Sequence, residues 1–132
     1  MNVEAIQRVI GLLEQTTPYH YKTEEADMPM PFSMESWENF CGTPCCIAGW
    51  ACSAFVDGKW VMAERYKLSV GYVAAQKFDI SPVWASRLFA PSIIGAWRDI
   101  TANQAIHALN RVLEAGDKYE DLTLHDLWPD YA

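Results

Sequence analysis

Nowhere in this sequence do lysine and arginine gather. Ten basic side chains are scattered among seventeen acidic ones, giving a formal net charge of −7. Affinity for a phosphate backbone rests on neutralising phosphates with clustered cations, so a nucleic-acid partner is not expected. The same scatter leaves no polybasic patch for an anionic membrane surface. No apolar run approaches the length that spans a bilayer. Met1-Asn2-Val3-Glu4 is not a basic region leading into an apolar block, so no signal peptide is expected and the expected compartment is the cytoplasm. Internal repeats and low-complexity tracts are missing too, and no stretch alternates clearly enough to predict a strand.

What is present fits one ordinary globular domain, 1–132. Apolar residues make up 51% of the chain and charged residues 20%, a balance that supports a core and argues against a largely disordered chain. The helical signals are strong. Asn2 can cap a first helix running to about Gln15, with Val3, Ile6, Ile10 and Leu13 on one stripe. Thr43-Pro44 predicts a second start, and Ala48, Gly49, Ala51, Ser53 and Ala54 make that helix small on nearly every face, to a stop at Asp57-Gly58. Residues 60–68 fit either a short helix or an extended segment. A helix is predicted over 69–78, and Ser81-Pro82 opens another through Phe89. Residues 92–100 read as a loop with at most a turn of helix. Thr101 to Gln104 forms a capping box for a helix stopped by Gly116, and Thr123 with Asp126 frames a last short turn. These signals predict an all-α domain of five to six helices around a small-residue central helix at about 44–56. A long irregular connection occupies about 17–43.

All four cysteines fall between Cys41 and Cys52, in Cys41-Gly42-Thr43-Pro44-Cys45-Cys46-Ile47-Ala48-Gly49-Trp50-Ala51-Cys52. Cys45 and Cys46 lie at a predicted helix start, where the dipole and free N–H groups can lower a thiol pKa. A nucleophilic thiol also needs a base. His107 is expected to face solvent from its helix, whereas His20, in the long connection, can fold over the helix start. Cys46 or Cys45 with His20 is therefore the candidate catalytic pair. The opposing reading, which is preferred, takes these cysteines as small packing residues. The spacing does not reproduce paired C-x2-C knuckles, so no metal is expected, and no cofactor. A Cys41–Cys46 disulfide is sterically allowed, but a cytoplasmic setting favours free thiols.

Phe32-Ser33-Met34-Glu35-Ser36-Trp37, the Cys41 to Ala51 stretch and Ala85-Ser86-Arg87-Leu88-Phe89 together resemble a pattern in a group of small bacterial and phage proteins. That pattern runs F-x-M-x-x-W, then C-G-T-x-x-C-[IV]-A-G-[WH]-A, then A-x-x-L-F. Its cysteines correspond to Cys41 and Cys46, and Cys45 and Cys52 are additions. The resemblance implies no particular chemistry; it implies an accessory or inhibitory role.

Two further elements bear on binding. Ala74 to Leu88 has the rhythm of a DNA-reading helix-turn-helix, although Asp79 stands where a turn glycine is usual and Arg87 is the lone cation on the second helix. An αα-hairpin built for packing explains the same residues. The connection from Pro18 to Pro31 combines Tyr19, Tyr21, Met28 and Met30 with Glu24, Glu25 and Asp27. Tyr and Met suit interface cores, and negative charge suits a basic partner. The resulting expectation is a small acidic, non-enzymatic protein that binds a macromolecular partner, a protein rather than nucleic acid. The alternatives are a cysteine-dependent hydrolase or transferase and an acidic helix-turn-helix protein.

Overall fold

Local capping fixes most of the helices. In the computed structural model, which describes residues 1–18, 31–34, 46–62, 70–91 and 97–131, α1 (Val3–Leu13) begins where the Asn2 side chain accepts a hydrogen bond from the Ala5 N–H at 3.1 Å. Its stripe of Ile6, Val9, Leu12 and Leu13 is buried. After α1, β1 (Thr17–Pro18) pairs in parallel with β2 (Pro31–Phe32), Thr17 opposite Pro31. The acidic connection thus leaves and re-enters the described structure at neighbouring positions.

Helix α2 (Ile47–Ala51) is short, and every residue in it is buried. It packs against α1, α3 (Val70–Phe78) and α4 (Pro82–Phe89). Trp50 is fully buried there; a large side chain in that position contributes about 1.5–3 kcal/mol relative to exposure. Ser81 caps α4 with Pro82 in its first turn, and the Ser81 N–H donates to the Tyr119 hydroxyl at 2.8 Å. A 3-10 turn, Trp97–Asp99, leads to α5 (Ala102–Ala115), whose capping box joins Thr101 and Gln104 reciprocally. Gly116, at φ 57°, ends α5 and begins a 3-10 stretch to Asp121. The last helix, α6 (Leu124–Leu127), has a second capping box between Thr123 and Asp126.

The all-α expectation is overturned by a β-hairpin. Strands β3 (Ser53–Val56) and β4 (Lys59–Met62) pair antiparallel, Ser53 opposite Met62 and Val56 opposite Lys59. The domain is a mostly helical mixed α/β structure. Within the described part of the central helix predicted at 44–56, Ile47–Ala51 is helical and Ser53–Val56 is β3. The cause lies at Asp57 and Gly58, both in the left-handed region at φ 51° and 75°. A two-residue turn with both central residues left-handed matches the twist of paired strands, and Asp-Gly is among the sequences that favour it. The dipeptide expected to stop a helix instead closes a hairpin of Phe55, Val56, Trp60 and Val61, residues suited to strands.

Candidate functional site

Cys46 is the described member of the candidate catalytic pair. It is the N-cap of α2, and its Sγ accepts from the Gly49 N–H at 3.4 Å. The residue is 1% exposed. Burial pushes its thiol up to about 12, against the opposing effect of backbone hydrogen bonds from Gly49 and Ala48. Desolvation therefore outweighs the helix start, which is the opposite of an activated thiol. At neutral pH this thiol is held protonated. Cys52 is buried as well, with its thiol 3.7 Å from the Val70 carbonyl oxygen. Cys41, Cys45 and His20 lie outside the described residues, as do Tyr19, Tyr21, Met28 and Met30 of the expected binding segment. His107 and His125 are exposed. Among the described residues no group of three His, Cys, Asp or Glu side chains could hold a metal ion, and no helix is long and apolar enough to cross a membrane.

The β3–β4 hairpin carries two neighbouring exposed apolar residues; Val3, Tyr72 and Val83 are exposed elsewhere. Phe55 is 53% exposed and Val56 48%. Strand alternation puts Ser53, Phe55, Trp60 and Met62 on one face and Ala54, Val56, Lys59 and Val61 on the other. Ser53 and Met62 are buried, so the first face rests on the core at its base and leaves it towards Phe55. On the second face Ala54 and Val61 are only half-buried. Phe55 packs on Trp60 with ring centroids 5.1 Å apart, and Trp60 meets the buried Trp50 edge-on at 5.8 Å. Arg8 sits over the Trp60 ring at 5.5 Å and donates to the Ser53 carbonyl oxygen at 3.0 Å. These contacts brace an exposed aromatic residue against the core. The signal that locates this surface in the sequence is Asp57-Gly58 between strand-forming residues.

The α3–α4 corner joins two helices, Val70–Phe78 and Pro82–Phe89, by a short turn. Asp79 adopts φ 52°, the left-handed conformation that a glycine usually supplies in such a turn. Ala74, Ala75, Phe78, Ile80, Trp84, Ala85 and Leu88 are buried at the corner. The open face of α4 presents Pro82, Val83, Ser86 and Arg87, with Val83 87% exposed. The Arg87 guanidinium donates to the Leu122 carbonyl oxygen at 3.0 Å. The corner thus has the required turn but offers an apolar, weakly charged face.

A cleft of about 330 Å³ lies between α5 and the chain after α6, lined by Asn103, Gln104, His107, Leu127, Trp128, Pro129, Asp130 and Tyr131. Gln104 organises it. Its Oε1 accepts from the Thr101 N–H at 2.9 Å and lies 2.9 Å from the Tyr131 hydroxyl, while its Nε2 donates to Asp130 Oδ2 at 2.9 Å. The Trp128 indole N–H donates to the Arg87 carbonyl oxygen at 2.8 Å, tying the cleft wall to α4. Sequence reasoning missed this site: Gln104 announces itself only as a capping residue, and nothing local points to Asp130.

No protein-family model matches the chain, and no curated protein or solved structure matches it either.

Proposed function

We propose that this chain is a small acidic, non-enzymatic module that binds a protein partner, with an accessory or inhibitory role of the kind its resemblance to small bacterial and phage proteins implies. The observation that carries the reading is the braced hairpin, where Phe55 is about half exposed beside Trp60 and Val56 is about half exposed on the opposite face. Aromatic residues held rigid by packing lose little entropy on docking and supply large contact areas, which suits an interface centre. The net charge of −7 favours a partner with a basic rim. A buried Cys46 thiol held protonated at neutral pH favours this reading over the cysteine-enzyme alternative.

The test places a photo-crosslinking phenylalanine analogue at position 55 and irradiates the full chain in cells of its source. The reading expects one dominant crosslinked protein that purified wild-type chain displaces and the double variant Phe55→Asp, Val56→Asp does not. Crosslinks spread over many proteins, or equal displacement by both competitors, would remove the hairpin as the docking surface.

A second reading, an acidic DNA-binding helix-turn-helix protein, draws support from the left-handed Asp79 turn. It expects duplex DNA binding that weakens steeply with salt. Fluorescence anisotropy on random-sequence duplex decides it: no rise at low salt ends that reading.

A further inference from the structure

The cleft between α5 and residues 127–131 is separate from the hairpin, and its chemistry is different. Its walls are apolar where Leu127, Trp128 and Pro129 line it, and its rim is polar. Of the rim groups, the Gln104 amide is engaged within the protein on both sides, its oxygen by Thr101 and Tyr131 and its nitrogen by Asp130. That leaves three groups with capacity. Asp130 is exposed and is fixed through Oδ2, so Oδ1 remains available. Asn103 and His107 are exposed, lie one helical turn apart on α5, and have no hydrogen-bond partner among the described residues.

The stretch of chain that forms the cleft is net acidic. From Trp97 to Tyr131 the sequence carries seven carboxylates against three cations. One of those cations, Arg111, is already engaged by Glu114 at 3.0 Å and Asp126 at 4.0 Å. An anionic ligand would meet Asp130 at the rim. A purely apolar one would leave the carboxylate and the Asn103 amide facing it without a partner, at a cost. A side chain with an aliphatic stem and a cationic end satisfies both walls and rim. The volume of about 330 Å³ is at the small end of ligand sites.

We infer that this cleft receives an arginine side chain of the protein partner, its stem along Pro129 and Tyr131 and its guanidinium on Asp130 with Asn103 and His107 beside it. Several acceptors spread around one point favour the planar five-donor fork over a compact ammonium group. The inference rests on the protein-binding reading and supplies its second contact: an apolar docking surface at the hairpin and a cation socket between α5 and residues 127–131.

The experiment titrates the full chain with acetylated, amidated tri-arginine, following backbone, Asn103 side-chain amide and Trp128 indole resonances by two-dimensional NMR. Tri-citrulline, which keeps the shape without the charge, and tri-lysine serve as comparison peptides. The expected result is saturable shifts confined to Asn103, His107 and residues 127–131. They are absent with tri-citrulline, weaker with tri-lysine, and about fivefold weaker in affinity for Asp130→Asn. Asn retains an acceptor for Gln104, and the same spectra report whether the variant is folded. Shifts spread over all the acidic residues, equal affinity in Asp130→Asn, or no shifts up to about 5 mM peptide would overturn the socket. Equal binding of tri-lysine would overturn the guanidinium assignment. Failure here with a successful crosslink at position 55 sinks the socket alone, while failure of both sinks the protein-binding reading.

Discussion

Between Cys46 and Ala51 every residue is buried, whereas the hairpin that begins one residue after Cys52 leaves Phe55 and Val56 about half exposed. The two stretches are adjacent in the chain and touch through Trp50 and Trp60. The first contains the reactive element types, yet burial makes its thiol less acidic. The second contains no thiol, yet it holds the apolar ring of Phe55 exposed. Chemical type and availability are thus reversed between neighbours. Packing, not composition, decides which of them faces outward.

The comparison can be broken most severely at Trp50. Trp50→Ala empties a fully buried indole site against Trp60, and the expected loss is about 3–5 kcal/mol in urea unfolding. A loss below about 1 kcal/mol would mean the α2 region is not the packed centre.

The next effect is on pH dependence at Cys46. An unfolded thiol titrates near 9.0 and the folded one near 12. Below the lower value both states hold the proton, and the group's contribution is fully present. As pH rises towards the upper value the unfolded chain loses a proton that the fold keeps, so stability falls by up to about 1.4 kcal/mol per pH unit. Urea unfolding from about pH 8 to about pH 11 should show a shallower decline in Cys46→Ala than in the wild type. Parallel curves would show that Cys46 titrates normally in the fold.

A smaller effect is expected at the turn. Nothing lies within 4 Å of a Cβ built on Gly58, so Gly58→Ala meets open space and reports only the backbone at φ 75°. The expected cost is about 1–2 kcal/mol by thermal unfolding. The smallest effect sharpens the contrast: Phe55→Ser should change stability by about 0.5 kcal/mol or less while abolishing the position-55 interaction. If Phe55→Ser costs as much as Trp50→Ala, Phe55 belongs to the core and is not a docking residue.

Much of the helical frame was legible because its signals are local. Asn2, Ser81, Thr101 and Thr123 each cap a helix through a side chain that reaches a backbone N–H three residues on. The hairpin was not, because Ala48 to Ala54 reads as a small-residue helix throughout, and Asp57-Gly58 serves equally as a helix stop or a hairpin turn. Burial around residue 53 settles that ambiguity only in three dimensions. At Cys46 the sequence carries both opposing influences, a helix start and apolar neighbours, and their relative size depends on packing. The cleft was out of reach because its central contact joins Gln104 to Asp130, 26 residues apart.

The ring sequence Phe55, Trp60, Trp50 has an optical consequence. Two indoles 5.8 Å apart and inclined at 69° have non-parallel transition dipoles close enough to couple. Coupled dipoles in that arrangement produce a paired positive and negative band in circular dichroism. Its outer member packs at a tilt against Phe55, so a partner seated on the hairpin as proposed would change the size of that band if it turned Trp60. The pair would then report occupancy without a label, with one ring in the hairpin and the other in the core.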